Sequence, residues 1–339
     1  MSESVDFLIV GAGISGLCLH NELLNRGHTS IIVNNDERNV STSIAAGIVN
    51  PVAGKFFSLT WRANDFFPSL ESYYRDLETK TQSSFYFSKE IRRVISSAGE
   101  QNIWLSKSHL EKYKGYCQYI PSKDDFGQIQ IHRGGHLDTT AFTNNMRIYL
   151  KDKAPYRNEI FNHELLELDS LSYDNIRFKK IVFCEGYDMI NNPYFKHLPF
   201  SPNKGELIEI ESGELDENLI LTGAVFVLPT GNQKFKVGAT YEHHIIDLVP
   251  TLKNKAYLLE RFEKMSSASY EVVNQFVGIR PAVKDRRPLL GQHPKHECMF
   301  IMNGLGSKGV SMAPQLSREL ADFMISGKEL NNDCNINRF

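Results

Sequence analysis

The sequence has few cysteines, and they are scattered. Its five cysteines form no Cys-x-x-Cys pair and are odd in number, which argues against a disulfide framework. Cys18 and Cys184 stand within apolar patterns that are typical of a protein core. We therefore expect a reduced protein located in the cytoplasm.

Long apolar runs are also missing. The run at residues 5–10 is short and contains Asp6, so it fits neither a signal peptide nor a membrane-spanning helix. Internal repeats and low-complexity tracts are absent from the sequence. We expect an ordinary globular chain with no signal peptide and no membrane partner. Its 339 residues suffice for two domains, or for one large domain with an insertion.

A strong charge of either sign is absent. The 38 Lys and Arg residues nearly balance the 40 Asp and Glu residues, for a formal net charge of -2. This balance argues against a dedicated nucleic-acid-binding protein. Local basic patches remain open, and two short clusters could form them: Lys89, Arg92 and Arg93, and Lys107, Lys112 and Lys114.

Patterns that bind metal ions are lacking as well. His132 and His136 are four residues apart, but Gly134 and Gly135 between them disfavour a helical metal pair. We predict no metal site.

A glycine turn near the start of the chain carries the strongest signal. A short apolar strand ending at Val10 runs into Gly-x-Gly-x-x-Gly at Gly11, Gly13 and Gly16. These glycines permit a tight turn, close approach of a diphosphate, and close helix–strand packing. A helix that begins here directs its free N–H groups at the phosphates. Gly27 is placed to end that helix before a strand at residues 31–33, so the pattern predicts a dinucleotide-binding βαβ unit.

The end of the second strand departs from the usual pattern. An acidic residue is expected there to bind the adenosine ribose, but the spacing places Asn34 at this position, followed by Asn35 and Asp36. A carboxamide accepts such a hydrogen bond more weakly than a carboxylate does. We predict that Asn34 binds the ribose, and Asp36 is the alternative if the strand ends later.

The remaining pattern predicts a chain that returns to its first sheet. We expect helices at about residues 64–79, 140–151, 252–264 and 315–325, with Gly327 ending the last. Residues 85–132 are predicted to form short strands and turns. A strand at 299–303 and the glycine turn 304–309 repeat the strand–turn–helix pattern of the N-terminus. The two ends are therefore predicted to lie side by side in one sheet, with ligands in a crevice beside an inserted domain.

Further motifs resemble the D-amino-acid oxidase and glycine oxidase superfamily of FAD enzymes, in the family's order along nearly the whole chain. They comprise the turn at residues 42–47, Arg-Gly-Gly-His-Leu-Asp at 133–138, Ile-Val-Phe-Cys-Glu-Gly at 181–186, Leu-Pro-Phe at 198–200 with Lys-Gly-Glu at 204–206, the hairpin through 227–229 and 237–242, and Gly-Ile-Arg-Pro at 278–281 with Asp285, Pro288 and Gly291.

This resemblance implies an α/β (α+β) fold. A discontinuous Rossmann-like FAD-binding domain would comprise residues 1–84, 133–200 and 273–339. An inserted antiparallel-sheet substrate domain would comprise residues 85–132 and 201–272. FAD is expected to bind non-covalently, because residues 278–291 lack the cysteine through which some relatives attach it.

The resemblance also assigns roles to individual residues. Arg280 matches an arginine that binds the substrate carboxylate, Lys308 is placed to stabilise negative charge on the reduced flavin, and Tyr241 to cover the substrate. These three are the predicted catalytic residues. The predicted cofactor-binding residues are Gly11, Gly13, Ile14, Ser15, Gly16, Asn34, Asn35, Thr42, Ser43, Ala46, Gly47, Leu165, Glu185, Gly186, Gly278, Gly304, Gly306, Ser307, Lys308 and Gly309.

The reaction implied is oxidation of the C–N bond of an amine or amino acid, of the glycine, D-amino-acid or N-substituted glycine type, by hydride transfer to flavin N5. The Gly-Leu-Gly-Ser-Lys-Gly turn at 304–309 is most similar to the FAD oxidase domain of the bifunctional enzyme that makes 5-methylaminomethyl-2-thiouridine in tRNA. Lys308 replaces an arginine there, so a small substrate is favoured over tRNA. Two different functions stay open, namely a nicotinamide-dependent dehydrogenase and a flavin-binding protein without turnover. The oligomeric state is left open.

Overall fold

A computed structural model describes residues 3–37, 41–54, 56–243 and 245–339. In chain order, its α-helices are α1 (Ile14–Asn25), α2 (Ser41–Ile44), α3 (Ala63–Phe66), α4 (Leu70–Thr81), α5 (Ala98–Ser108), α6 (Thr139–Lys151), α7 (Leu252–Glu263) and α8 (Gly309–Ser326). Its strands are β1 (Glu3–Val10), β2 (Ser30–Asn34), β3 (Ile48–Val49), β4 (Val52–Ala53), β5 (Ser58–Leu59), β6 (Tyr86–Ser88), β7 (Glu90–Val94), β8 (Cys117–Ile120), β9 (Gln128–Ile131), β10 (Gly135–Leu137), β11 (Tyr156–Asn158), β12 (Leu166–Glu167), β13 (Ser172–Tyr173), β14 (Ile176–Phe183), β15 (Asn203–Glu211), β16 (Leu219–Thr222), β17 (Phe226–Gly231), β18 (Lys234–Gly238), β19 (Glu242–His243), β20 (Glu271–Arg280), β21 (Leu289–Gln292) and β22 (Met299–Asn303).

The first sheet is built around parallel strands in the order β11-β2-β1-β14, and β22 also pairs parallel with β14. Both faces of this sheet are covered, as parallel sheets require. Phe7 and Ile9 of β1 pack in one apolar cluster, whereas Leu8 and Val10 pack in another. The two ends of the chain thus share one sheet as predicted, but they are not adjacent, because β14 lies between β1 and β22.

The second sheet is mainly antiparallel, in the order β19-β15-β18-β17-β16-β7-β9-β8, with β20 also paired to β15. Helix α7 packs against it, and Leu258 and Phe262 join Ile208 and Phe235 in a separate apolar core. Together the two sheets confirm the predicted fold class. The predicted domain boundary at residue 273 falls inside β20, since the pairing of β20 with β15 continues to Arg280.

The predicted helices are present, with corrections at their ends. Two helices, α3 and α4, replace the single helix expected at 64–79. Pro68 lies between them and interrupts the helix, because proline has no N–H to donate. Helix α8 begins at Gly309, earlier than predicted, and includes Pro314. Pro314 has no N–H with which to bond the Val310 carbonyl four residues earlier. That carbonyl instead accepts a hydrogen bond of 2.7 Å from the Tyr74 hydroxyl.

Helix α5 lies in the segment that was predicted to contain only strands and turns. Its N-cap, Ser97, accepts a hydrogen bond from the Glu100 amide, and Glu100 in turn accepts one from the Ser96 amide. This reciprocal capping was the sequence signal for the helix.

Three further properties concern the described ranges as a whole. None of the helices there has both the length and the apolar composition needed to cross a bilayer. No group of three or more His, Cys, Asp or Glu side chains in those ranges could hold a metal ion. All five cysteines are free.

Candidate active site

The glycine turn that follows β1 forms a tight cradle without side chains. Gly11 has φ = 101°, and a Cβ atom there would lie 2.6 Å from the Cys184 carbonyl oxygen. A Cβ atom at Gly16 would overlap the Gly11 carbonyl oxygen, so Gly16 sets how closely α1 packs on the turn. Gly13 is the N-cap of α1, with no side-chain cap. The Ile14 amide at this end donates to Thr42 Oγ1 at 3.1 Å, and the positive dipole end of the helix faces the adjoining space.

Asn34 closes this turn from the end of β2. Its Oδ1 accepts a hydrogen bond of 2.8 Å from the Ala12 amide, while its Nδ2 donates to Asp36 Oδ1 at 2.8 Å. Asp36 itself faces Arg147 and Lys151, at 3.3 Å and 3.0 Å. Asn34 and Asn35 line the cavity described below, whereas Asp36 does not. The ribose role of Asn34 remains a prediction, and its carboxamide already holds the turn together.

A cavity of about 930 Å³ lies between the two sheets. It opens at the carboxyl ends of β1, β2, β14 and β22, where ligands bind in such sheets. Most of the predicted site residues line it: Gly11, Gly13, Ile14, Ser15, Asn34, Asn35, Thr42, Ala46, Gly47, Glu185, Gly186, Tyr241, Gly278, Arg280, Gly306, Ser307, Lys308 and Gly309.

Four predicted residues do not line the cavity. Gly16 packs against Gly11, and Gly304 against Val283 and Leu289. The Ser43 carbonyl accepts a hydrogen bond from the Thr140 hydroxyl at 3.1 Å. Leu165 is 48% exposed on a short 3-10 helix, and the lining at that position comes from Ile160, Phe161 and His163 instead.

Arg280 ends β20 and presents its guanidinium to the cavity. Its Nη1 donates to Asn203 Oδ1 at 3.0 Å and to the Thr240 carbonyl at 3.1 Å. The Tyr241 ring stacks on the guanidinium, with 4.1 Å from Cζ to the ring centroid. No ion pair within the described chain neutralises Arg280, and burial lowers the pKa of its guanidinium. The arginine is therefore a preoriented cation without an anion.

Lys308 provides a second cation, at the N-cap of α8. Its Nζ donates to the Asn50 carbonyl at 3.2 Å, and none of the ion pairs in the described ranges includes it. Burial lowers the pKa of Lys308 to about 8. Helix α8 has no side-chain cap, so its positive dipole end adds to the charge of Lys308.

Sequence reasoning missed two asparagines of the site. Asn50, three residues after Gly47, supplies the carbonyl that accepts the hydrogen bond of Lys308. Asn303, the last residue of β22, donates to the Gly186 carbonyl at 2.9 Å and accepts from the Gly304 amide at 2.8 Å. It thereby joins two of the loops that line the cavity. Its position at the end of a strand and before a glycine turn is the sequence signal that could have identified it.

A comparison with protein-family models decides the family. Residues 6–323 match the model of the DAO family, described as FAD dependent oxidoreductase. The chain belongs to this family. The enzyme is thus an FAD-dependent oxidoreductase, and its cofactor is FAD. The predictions of superfamily and cofactor are confirmed, and the nicotinamide alternative is set aside.

Similar proteins are known by sequence and by structure. The chain is 23% identical to glycine oxidase from Pseudomonas aeruginosa, over 97% of this chain and 96% of that protein. It is 22% identical to glycine oxidase from Bacillus subtilis, over 98% and 96%. The crystal structure of glycine oxidase from Geobacillus kaustophilus superposes with a TM-score of 0.83, at 19% identity, over 97% of this chain and 96% of that one. At such identity the structural likeness shows the shared fold.

The residues present fit FAD. The side-chain-free cradle at Gly11 and Gly13, with the N-terminus of α1, would hold the diphosphate of the cofactor. The cationic wall formed by Lys308 and the N-terminus of α8 would stabilise negative charge on its ring system. Ser41, whose hydroxyl donates to the Ile279 carbonyl, ties the segment before Gly47 to the strand that carries Arg280.

Proposed function

We propose that this enzyme oxidises the carbon–nitrogen bond of a small amino acid, of the glycine, D-amino-acid or N-substituted glycine type. The observation that carries this proposal is the unneutralised guanidinium of Arg280 at the cavity wall. A guanidinium without an acidic partner in a partly dehydrated site attracts a carboxylate, with which it forms two parallel charge-assisted hydrogen bonds. An amine without a carboxylate would leave that charge uncompensated.

The chain's own residues bind and orient the substrate. FAD, when bound, supplies the chemistry by accepting a hydride from the carbon that bears the amine. Arg280 fixes the carboxylate and so restricts the position of the adjacent carbon. Tyr241 is 60% exposed while its ring covers the guanidinium, so it can close over a bound carboxylate. No strong protein base is needed if the amine binds in its neutral form.

The basic clusters favour a small substrate over tRNA. Lys89 donates to the Glu217 carbonyl, Arg92 pairs with Glu90 at 2.6 Å, and Arg93 turns inward to the cavity. In the second cluster Lys114 pairs with Glu111 at 3.5 Å. Phosphate contacts dominate affinity for nucleic acids and require free cations. Absence of a gel shift with tRNA at low salt would agree with this proposal, and a salt-sensitive shift would support the tRNA alternative.

Non-covalent attachment of FAD is also proposed. Cys184 lines the cavity, but burial raises the pKa of its thiol well above the usual value. A thiol that stays protonated is a poor nucleophile toward the flavin ring. Precipitation of the protein with acid should release all of the flavin into solution, and flavin that stays with the pellet would contradict the proposal.

The central experiment is an anaerobic titration of the FAD-loaded enzyme with a panel of amino acids and N-methyl glycines, following loss of the flavin absorbance. We expect reduction by at least one carboxylate-bearing amine. Arg280→Met should lower kcat/KM for that substrate by about 100-fold, because a buried charge-assisted contact is lost. Arg286→Met is a matched control, since Arg286 is exposed. Reduction only by amines that lack a carboxylate would refute the proposed substrate class.

A further inference from the structure

The guanidinium of Arg280 is held so that only one of its edges is open. Its Cζ lies 4.1 Å from the centroid of the Tyr241 ring, and the group also fills the space of the missing side chain at Gly205. At Nη1, Asn203 Oδ1 and the Thr240 carbonyl accept its hydrogen bonds. Nη2 and Nε bond no described residue, and neither belongs to the sealed side-chain donors that lack a partner. The edge formed by these two nitrogens is therefore open to the cavity, which Arg280 lines.

Asn203 is the side chain that anchors the closed edge. The pairing of β15 with β20 places it directly opposite Arg280, and it is 6% exposed. Because a guanidinium can only donate, the amide atom that faces it must be the oxygen. The contact of 3.0 Å thus satisfies one nitrogen of Arg280 without adding a negative charge. A carboxylate at the same distance would form an ion pair with Arg280.

The alternation of β15 keeps the nearest buried carboxylate away from Arg280. Gly205 and Leu207 line the cavity, whereas Lys204 and Glu206 point to the opposite face of the strand and do not line it. The side chain of Glu206 is fully buried there, 3.6 Å from the Lys204 ammonium, and it accepts from Gln275 Nε2 at 2.6 Å. On the cavity side of β15, the position opposite Arg280 carries an amide instead of an acid.

We infer that Asn203 determines which substrates the enzyme accepts, because it anchors Arg280 as a neutral acceptor and leaves the charge of the guanidinium for a carboxylate at the open edge. The inference rests on the proposed function, in which Arg280 binds the substrate carboxylate, and it assigns the choice between amino acids and simple amines to position 203. Asn203 acts through Arg280 and is therefore a positioning residue. An acidic residue at this position would itself pair with Arg280 and would repel a carboxylate.

The first test measures binding without turnover. Acetate is titrated into the FAD-loaded enzyme, and its affinity is read from the change in flavin absorbance. Asn203→Asp, which keeps the size of the side chain, should weaken acetate binding about tenfold or more. Asn203→Leu also keeps the size but leaves the site cationic, so it should weaken acetate binding by no more than about threefold. Unchanged affinity in Asn203→Asp would overturn the inference. Equal losses in the two variants would overturn it as well, because the hydrogen bond and not the charge would then matter.

The second test compares two substrates that differ only by a carboxylate, N-methylglycine and dimethylamine. The rate of anaerobic flavin reduction by N-methylglycine, relative to that by dimethylamine, should fall about tenfold or more in Asn203→Asp. A purely structural role of Asn203 would lower both rates equally, and this outcome contradicts the inference. Asn274→Asp is the matched control, since Asn274 is exposed on β20 and does not line the cavity. A changed ratio in this control would show that the net charge of the protein, and not position 203, sets the preference.

The two tests together separate this inference from the proposed function. If amino acids reduce the flavin of the parent enzyme and Asn203→Asp leaves acetate binding unchanged, the inference alone is refuted. If Asn203→Asp loses acetate binding but no amino acid reduces the flavin of the parent enzyme, the proposed function alone is refuted.

Discussion

The guanidinium of Arg280 lies flat over Gly205, in the volume that a Cβ atom at Gly205 would occupy. The two residues are on paired strands, where Gly205 of β15 is opposite Gly278 and Asn203 is opposite Arg280. The missing side chain opens a passage through which the arginine crosses β15 to reach the cavity. Gly205 thereby sets the position of the cation that we assign to the substrate carboxylate.

Gly205→Ala should displace Arg280. Because the added methyl group would overlap the guanidinium, we expect the KM for the amino acid to rise about tenfold or more, whereas the affinity for FAD should change little. Steady-state kinetics and FAD titration of the apoprotein measure the two effects. Gly213→Ala is the matched control, since a Cβ atom there lies 3.4 Å from its nearest neighbour, Gln233 Oε1. Unchanged KM in Gly205→Ala would show that Arg280 is not positioned by this contact.

The lowered pKa of Lys308 predicts in which direction the stability of the apoprotein changes with pH. Its pKa falls from 10.5 to about 8 on folding, so between these pH values the unfolded chain binds more protons than the folded one. Stability of the apoprotein should therefore rise as the pH increases from 8 toward 10.5. The gain between pH 8 and 9.5 is at most roughly 2 kcal/mol. Urea unfolding at both pH values measures it, and Lys308→Met should remove the gain.

Lys308 should also influence bound FAD. The ammonium form stabilises negative charge at the cavity wall, and this form is lost as the pH rises through about 8. Lys308→Met should therefore lower the reduction potential of the bound cofactor at pH 7, and the difference between the two proteins should shrink well above pH 8. A potential that is identical in both proteins at pH 7 would contradict a role of this charge.

Much of this site could be predicted from the sequence, because its residues follow recognisable strands and turns. Gly11, Arg280 and Lys308 each stand in a local motif. Such a motif can be recognised in the sequence without knowledge of how the chain packs. The inward position of Arg93 could not be found in this way. Arg93 looked like part of a surface basic cluster, and only the pairing of β7 with β16 brings it to the Gly223 carbonyl.

The corrections have local physical causes. Helix α8 begins earlier than predicted and contains Pro314, whose missing N–H is compensated by the Tyr74 hydroxyl from another helix. Leu165 was assigned from the family resemblance. A 3-10 helix turns its side chain to solvent while His163 lines the cavity, and its cofactor role stays a prediction. These differences depend on tertiary contacts, which secondary-structure propensity does not describe.

Asn34→Asp tests whether the carboxamide holds the glycine turn. The new carboxylate would still accept from the Ala12 amide but would face Asp36 at a position where Nδ2 now donates at 2.8 Å. We expect a loss of about 1–3 kcal/mol in the free energy of unfolding, from a lost donor and like-charge repulsion. Asn35→Asp is the control, since within the described ranges Asn35 uses only its oxygen, which accepts from the Glu37 amide at 3.0 Å. Equal stability of the two variants, measured by urea unfolding, would contradict this role.

Lys204 fixes an apolar loop beside the active site. The loop at residues 245–251 exposes Ile246 and Val249, and Leu252, the first residue of α7, is exposed beside it. The Lys204 ammonium is buried beneath it, where it donates to Asp247 at 2.6 Å and to the Val249 carbonyl at 2.5 Å. It also lies 3.6 Å from Glu206, whose side chain is fully buried.

Lys204→Met should release this loop and leave Glu206 without a cation. We expect a loss of about 2–4 kcal/mol in the free energy of unfolding, because a buried ion pair is broken from one side. Limited proteolysis should then cut within residues 245–250. Lys234→Met, in β18 of the same sheet, serves as the control because none of the ion pairs within the described ranges involves Lys234. Resistance of the Lys204→Met loop to protease, equal to that of the parent protein, would show that the apolar contacts of the loop hold it without the lysine.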